Sequence, residues 1–142
     1  MMSSVTLRYD KHLELDDLLS LYGSVGWTAY TDHPEWLQLA VEGSTHVVTE
    51  WSDDGDLIGL ARAISDNHSI FYLQDILVRP DHQGRGVGRR LLDDCLERFD
   101  HVRQKVLLTD DNDAQRRLYE GAGFVRTADY EDGVLNAYVR ID

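Results

Sequence analysis

One segment constrains this chain more than any other: three glycines at alternate positions between a strand-like run and a helix-like run. Gly84, Gly86 and Gly88 separate an apolar stretch at 69–79 from an amphipathic stretch at 87–99. Glycine allows backbone turns that strain other residues, and it lets a ligand approach the main chain closely. The first amides of the following helix lack acceptors within the helix, and together with the helix dipole they attract anions. The segment therefore predicts a strand-to-helix turn that holds a pyrophosphate.

Positive side chains surround these glycines in a chain that is otherwise acidic. Arg85, Arg89 and Arg90 lie in or beside the turn, whereas the whole chain carries a formal charge of −12. We expect all three to strengthen the anion site. Two common nucleotide fingerprints do not fit, because the dinucleotide pattern needs glycine at Arg89 and the phosphate-loop pattern needs Gly-Lys followed by Ser or Thr. A glycine-rich turn without a ligand stays open as the alternative.

Composition limits the class of protein. The 142 residues predict a single domain over 1–142, and a hydrophobic share of 42% suffices for a core. No run is long and apolar enough for a membrane span, the first residues lack the pattern of a signal peptide, and a lone Cys95 excludes an internal disulfide. We therefore expect a cytoplasmic protein. The negative charge argues against nucleic acid and membrane as partners. It suits a cationic amine substrate, or it only aids solubility.

Hydrophobic periodicity and turn residues predict a mixed α/β fold with helices on both faces of the sheet. The predicted strands are 5–9, 45–51, 57–65, 69–79, 105–109, 124–128 and 136–140. The predicted helices are 14–24, a second one that begins at Asp32 as its cap and Pro34 in its first turn, 87–99 and 113–121. Short turns between 45 and 79 predict an antiparallel meander. The strand, helix and strand from 69 to 109 predict a βαβ unit with parallel strands.

Two separate motifs resemble the GNAT superfamily of N-acetyltransferases. The stretch from Leu77 to Leu92 is similar to the family's acetyl-CoA motif, whose core pattern Gln/Arg-x-x-Gly-x-Gly/Ala is matched by Gln83, Gly86 and Gly88. The resemblance covers about residues 5–140. It implies an α/β GNAT fold with a mixed, mostly antiparallel central sheet of about seven strands. About four helices would flank this sheet, and a parallel pair of strands would splay apart at the cofactor site.

The second motif lies downstream, at residues 112–124. Asn112, Tyr119, Gly123 and Phe124 match the family's other signature, whereas Gln115 stands where the family often has alanine. The resemblance implies acetyl-CoA as the cofactor, with Asn112 near its arm and Tyr119 close to the thioester sulfur. The residues implied to bind the cofactor through their backbones are Ile76, Leu77 and Val78 at the pantetheine arm, and Gly84, Arg85, Gly86, Val87, Gly88 and Arg89, beside Gln83, at the pyrophosphate.

Acetyl transfer by direct attack of an amine requires a polarised carbonyl, a protonated leaving thiolate and loss of the amine proton. A backbone amide of Leu77 or Val78 suits the first task. Tyr119 suits the second, because a phenol donates a hydrogen bond and a proton; the alternative is a core aromatic. Asp75 is the candidate base. Strand alternation predicts that it shares an apolar face with Phe71, Leu73 and Leu77, where burial makes a carboxyl group a better proton acceptor.

Other roles for Asp75 stay open. It orients a cationic amine or pairs with an arginine while water removes the proton. Cys95 lies on the apolar stripe of its helix and is expected in the core instead of acting as a nucleophile. The six histidines show no paired ligand spacing, so no metal site is predicted.

Trp27 and Tyr30 lie in the region between the first two predicted helices, which usually helps to build the acceptor site in GNAT folds. They predict a pocket wall for an aromatic or alkyl amine, with Asp75 as a further substrate contact. The alternative is that both rings only fasten the loop to the core. The chain also shows a weaker similarity to plant-type serotonin and arylalkylamine N-acetyltransferases and their bacterial relatives.

These observations predict an acetyl-CoA-dependent N-acetyltransferase that acts on a small primary amine. Two alternatives remain: a protein lysine or N-terminal acetyltransferase, which needs an open peptide groove, and a non-catalytic acyl-CoA-binding sensor. Homodimers are common in the family, and the last two predicted strands offer an edge for pairing.

Overall fold

A five-stranded sheet organises the first of two structural units. The computed structural model describes residues 5–142, in which the first unit ends at Leu108 and the second is Thr109–Asp142. The strands are β1 (Thr6–Arg8), β2 (His46–Trp51), β3 (Leu57–Ser65), β4 (Ile70–Val78) and β5 (Gln104–Leu107), in the order β1-β2-β3-β4-β5. All neighbours are antiparallel except β4 and β5, which are parallel. The predicted meander and the predicted βαβ unit are confirmed.

The described chain contains five helices, four in the first unit and one in the second, which is one more than predicted. They are α1 (Leu15–Ser24), α2 (Thr28–Thr31), α3 (Pro34–Glu42), α4 (Val87–Arg98) and α5 (Asp113–Gly121). Helix α2 was not predicted, because four residues are too few to show an apolar period. Its presence also corrects the predicted cap: the Asp32 amide donates to Thr28 O at 2.8 Å and ends α2, so His33 is the N-cap of α3.

The strands predicted at 124–128 and 136–140 do not form in the described chain. A single 3₁₀ turn lies at Thr127–Asp129, and residues 130–142 are in no helix or strand. The side chains of Val134, Tyr138 and Ile141 are 88%, 90% and 90% exposed. Strand propensity mostly measures packing against cross-strand neighbours, and this segment has none in the described chain. The sheet therefore has five strands, and the prediction of seven is wrong.

Helices α1 and α3 cover one face of the sheet. Leu18 and Tyr22 of α1, Leu37 of α3, and Leu60 and Leu77 of the strands belong to one buried cluster. Burying a leucine side chain contributes about 1.5–3 kcal/mol, so this cluster is a main source of stability. It also sets the positions of α1 and of the segment that follows it.

Helix α4 covers the opposite face, and Gly59 of β3 makes its close approach possible. A Cβ atom at Gly59 would lie 2.7 Å from Val87 Cγ1 and 3.1 Å from Leu91 Cδ1. Because neighbouring residues of a strand point to opposite faces, Gly59 faces α4 while Leu60 faces α1. The prediction of helices on both faces is confirmed for this unit.

Among the helices of residues 5–142, none is long and apolar enough to cross a membrane. The organisation of the chain as a single domain over 1–142 stays a prediction.

Candidate active site

The glycine turn before α4 adopts a backbone that favours glycine. Gly84 and Gly86 have φ values of +78° and +84°, in the left-handed region. A Cβ atom at Gly84 would meet no other atom within 4 Å, so the space beside it is open. Gly86 is the N-cap of α4 and makes no side-chain capping bond. The turn thus exposes main chain at the start of a helix, as the sequence predicted.

The backbone amides of residues 84–89 have no acceptor within the described part of the chain. The next residue, Arg90, is the first whose amide has an acceptor: it donates to Gly86 O at 3.0 Å. Unpaired amides at a helix N-terminus, reinforced by the helix dipole, form an anion site. This arrangement fits a phosphate or pyrophosphate, and it needs no specific side chain.

Two of the three nearby arginines do not add free positive charge, contrary to the prediction. Arg90 forms a two-pronged ion pair with buried Glu50, at 2.7 and 2.9 Å, and its Nη1 donates to Arg85 O at 3.2 Å. Arg89 pairs with Asp93 at 2.8 Å on the same helix. Arg85 is exposed and makes no ion pair among residues 5–142. Arg90 therefore connects the turn to Glu50 on β2. The hydrogen bonds to Glu50 raise the pKa of the Arg90 guanidinium.

Strand β4 leaves one edge unpaired beside this turn. Its parallel ladder with β5 ends at the pair Leu73 and Leu107, although β4 continues to Val78. Residues 76–78 pair with β3 on the other side only. The Gln83 side chain donates to Val78 O at 3.1 Å and ties the turn to the strand end. Because β5 itself ends at Leu107, the predicted splay of the parallel pair stays a prediction, and an extended ligand fits the open edge.

A β-bulge interrupts β4 at Gln74. Arg62 of β3 stands opposite Asp75, and Ala63 stands opposite Leu73, so Gln74 has no partner on β3. An extra residue in one strand shifts the side-chain alternation by one position, which turns the following residues to the other face. The sequence carried no clear signal of this bulge.

The bulge corrects the predicted surroundings of Asp75. The ring of Phe71 packs 5.1 Å from that of Phe99 at the end of α4, and Leu73 shares its face. Asp75 instead points to the face of α1, where Tyr22 Oη donates to its Oδ2 at 2.9 Å. Asp75 therefore does not lie with Phe71 and Leu73.

Both oxygens of the Asp75 carboxylate are engaged. Oδ2 accepts from Arg62 Nε at 2.6 Å and from Tyr22, and Oδ1 accepts from Tyr30 Oη at 2.9 Å. Asp75 is 4% exposed and Arg62 is 6% exposed. A buried charge is tolerated when it is paired and hydrogen-bonded, as here. Pairing with an arginine, one of the alternatives, is thus present; the part that Asp75 plays in the reaction stays a prediction.

Tyr30 joins this network from the segment after α1, and Trp27 packs beside it. Tyr30 Oη accepts from Arg62 Nη2 at 3.2 Å and from Gln74 Nε2 at 3.3 Å. The rings of Trp27 and Tyr30 are 6.2 Å apart, and both pack against the core cluster of α1 and α3. Burial, followed by the charge of Asp75, raises the pKa of Tyr30. The structure brings Trp27, Tyr30 and Asp75 together and shows the contacts that fasten the loop. The pocket-wall role stays a prediction.

Three residues of these sites were missed by the sequence: Tyr22, Glu50 and Arg62. A usable signal existed for two of them. Arg62 is the one charged residue inside the otherwise apolar or small run at 57–65, and Glu50 lies in the β-prone run at 46–51. Charged groups in central strands need buried partners. Tyr22 carried no such signal, because it fits the apolar face of α1.

The second unit contains the other two predicted residues. Asn112 is the N-cap of α5, and its Oδ1 accepts from the amides of Ala114 and Gln115 at 2.9 and 3.1 Å. Tyr119 is buried and its ring meets that of Phe124 edge-on. Burial raises the pKa of Tyr119, so its phenol keeps its proton at neutral pH. Contact of either residue with a cofactor stays a prediction.

One cluster lies outside these sites. His46 Nε2 is 2.9 Å from Asp94 Oδ2, and the ligand atoms of His46, Asp94 and Cys95 all lie within 4.8 Å of one another. Linear spacing missed this group because it joins β2 to α4. Burial raises the pKa of the Cys95 thiol to about 12 and keeps it protonated, which makes it a poor metal ligand. Cys95 is in the core, as predicted.

Comparison with known proteins gives a consistent result. The model of the acetyltransferase (GNAT) family matches residues 12–124. An uncharacterised N-acetyltransferase, ycf52 of Gracilaria tenuistipitata var. liui, is 28% identical over 138 residues, which span 93% of this chain and 73% of the relative. A solved GNAT-family acetyltransferase from Streptococcus pneumoniae TIGR4 is 26% identical with a TM-score of 0.82, covering 98% of both chains. An aminoglycoside N-acetyltransferase in complex with CoA shares the fold at 17% identity, with a TM-score of 0.72 over 99% of this chain and 97% of its own.

Proposed function

This chain belongs to the GNAT acetyltransferase family and is an N-acetyltransferase, and we propose that it transfers the acetyl group of acetyl-CoA to a primary amine of a small molecule. The amine attacks directly in a ternary complex. One observation carries the cofactor part of this proposal: the free amides of residues 84–89 lie next to the unpaired edge of β4 at residues 76–78.

These two features match the two halves of acetyl-CoA. A pyrophosphate is an anion and suits the amides and the open space at Gly84. The pantetheine arm contains amide groups and suits an added-strand contact with β4. Asn112 is proposed to contact the same cofactor near its arm, by its match to the family motif.

In the proposed reaction, a nitrogen–carbon bond forms and the carbon–sulfur bond breaks. The amide of Val78 polarises the acetyl carbonyl; it points to the open edge because its neighbour Arg79 donates to Ile58 O on the β3 side. Tyr119 gives its proton to the leaving thiolate and regains one from solvent. The role requires a protonated phenol, which any tyrosine supplies at neutral pH, and burial, which raises the pKa of Tyr119, leaves that unchanged. Water accepts the amine proton, since Arg62, Tyr22 and Tyr30 already engage the Asp75 carboxylate.

The acceptor is proposed to be a small aromatic or alkyl amine. Trp27 and Tyr30 supply partly buried aromatic surface beside Asp75 and the exposed amide of Gln74. The structural relative that acts on aminoglycosides is itself an N-acetyltransferase of small amines. Peptide amines are the alternative acceptors, so lysine peptides are tested beside the small amines.

A homodimer is the proposed assembly. Val134, Tyr138 and Ile141 expose apolar surface that a second copy of the chain would cover. Light scattering of the purified protein tests this. We expect a mass of twice that of one chain for the wild-type protein, and a lower mass for Tyr138→Glu. A monomer at all protein concentrations would contradict the homodimer.

The central test measures acetyl-CoA binding by calorimetry and thiol release with a panel of small amines and lysine peptides, with products weighed by mass spectrometry. We expect acetylated small amines and little product from peptides. Tyr119→Phe should lower kcat by about 10²–10⁴-fold, the usual contribution of a general acid, while leaving acetyl-CoA affinity unchanged. Binding without product from any amine would indicate the sensor alternative, and product from peptides alone would indicate a protein acetyltransferase.

A further inference from the structure

Arg62 links four parts of the first unit through one buried side chain. Its Nε donates to Asp75 on β4, and its Nη2 donates to Tyr30 on α2. Its Nη1 approaches Ser44 Oγ at 3.4 Å and Ala40 O at 3.5 Å, at the end of α3. The guanidinium carbon also lies 5.7 Å from the centre of the Tyr30 ring. A planar group with fixed donors suits this arrangement better than a lysine, whose charge is a single point.

The charge of Arg62 changes what Asp75 offers to a substrate. The two side chains form a buried pair with no net charge, and two phenols occupy the remaining carboxylate positions. Because this carboxylate is already compensated, an incoming ammonium gains little from it. The polar groups of the network that extend toward the surface are the Tyr30 hydroxyl and the Gln74 amide.

We propose that Arg62 is a positioning residue that fixes Tyr30 and the segment at 25–33 against the bulge of β4, and so sets the affinity for the acceptor amine. This proposal rests on the proposed function, because it assigns Arg62 to the binding of the acceptor amine. Arg62 acts through Tyr30 and Asp75. The turn at residues 84–89 is held by a different ion pair, between Arg90 and Glu50, which Arg62 does not contact.

The test compares Arg62→Lys with wild type by two measurements. Lysine keeps a positive charge for Asp75 and loses the fork that reaches Tyr30. We expect the KM for the amine to rise about tenfold, as for the loss of one charge-assisted hydrogen bond, while the KM for acetyl-CoA stays within about twofold. Hydrogen exchange followed by mass spectrometry should show faster exchange in residues 25–33 and unchanged exchange in residues 90–98 of α4, whose amides are hydrogen-bonded.

Two controls separate positioning from general damage. Arg103→Gln removes an exposed arginine with no ion pair in the described chain and should match wild type in every measurement. If Arg62→Lys is too unstable to study, Arg62→Leu combined with Asp75→Asn removes both charges together and is compared with Asp75→Asn alone. The difference between those two variants then reports on Arg62, with faster exchange at 25–33 expected in the double variant.

Either of two results would overturn the proposal. One is wild-type exchange at 25–33 in Arg62→Lys or, where the double variant is used, exchange equal to that of Asp75→Asn. The other is equal rises in the KM for the amine and for acetyl-CoA in Arg62→Lys. Failure of the proposed function looks different. Wild-type protein would then release no thiol with any amine, while the exchange measurement would still decide whether Arg62 holds the segment at 25–33.

Discussion

The proposed cofactor turn and the proposed acceptor network are built in different ways. The turn at residues 84–89 presents backbone amides, and its conformation comes from positive-φ glycines next to a helix start. The acceptor network consists of side chains from four separate elements: Tyr22 of α1, Tyr30 of α2, Arg62 of β3 and Asp75 of β4. One site is local in sequence, whereas the other depends on how distant segments meet.

The two sites should therefore differ in their tolerance to substitution. A backbone site accepts many side chains as long as the glycines keep their conformation. A side-chain network fails when one partner is lost, because the others are buried and left unsatisfied. Four substitutions test this contrast.

Gly84→Val should damage the cofactor side most. The side chain would enter the open space where a phosphate would approach the amides, so we expect acetyl-CoA affinity to fall about 10- to 100-fold, as for loss of hydrogen bonds to a charged group. Gly55→Val is the matched control, because Gly55 also has a positive φ, +88°, and open space around it. Both variants should lose about 1–2 kcal/mol of stability from backbone strain. Equal affinities in calorimetry would show that Gly84 has only a structural role.

Glu50→Ala should lower the stability of the protein, because it removes the buried partner of Arg90 beside the turn. The change leaves Arg90 without its partner, and we expect about 2 kcal/mol of lost stability, below the value for a fully buried pair because Arg90 is about one third exposed. Asp93→Ala breaks the exposed pair with Arg89 and should cost about 0.5 kcal/mol or less. Urea unfolding of both variants measures this. Equal losses would mean that the Glu50 pair does not brace the turn.

Asp75→Asn should affect the acceptor side alone. It weakens the pairing with Arg62 and the two phenols, so we expect kcat/KM for the amine to fall about tenfold, while acetyl-CoA affinity is unchanged and the pH profile keeps its shape because water accepts the amine proton. Asp54→Asn, on the exposed hairpin turn, is the control. Wild-type kinetics in Asp75→Asn would remove Asp75 from the mechanism.

Tyr22→Phe should give the smallest effect, seen best at alkaline pH. Burial, followed by the Asp75 charge, raises the pKa of Tyr22 well above its ordinary value of 10.0. The folded state therefore holds a proton that the unfolded state releases above about pH 10, so this contribution to stability is complete below that pH and is lost above it. Loss of the hydrogen bond should cost about 1 kcal/mol at pH 8. The decline in stability between pH 9 and 11 should become shallower, and an unchanged slope in urea unfolding would contradict this.

The same contrast explains what the sequence could predict. The turn, α4 and the order of β2 to β5 follow from local patterns: alternate glycines, a helical stripe and short turns. The partners of Asp75 do not, because they depend on a single inserted residue, Gln74, which reverses the side-chain direction. The two last predicted strands are absent for a related reason. The residues at 124–128 and 136–140 have a high strand propensity, but a strand forms only where another strand pairs with it, and propensity does not show whether one is available.

The bulge at Gln74 also divides β4 into two stretches that can change independently. Positions 71 and 73 determine how the strand packs on the α4 side, and positions 75 and 77 determine what lies on the acceptor side. Substitutions after the bulge leave the α4 side of the strand unchanged, but Asp75 and Leu77 are themselves buried, in the ion pair with Arg62 and in the core under α1. Directed evolution of new acceptors should therefore vary the exposed bulge residue, Gln74, first and keep Asp75 and Leu77.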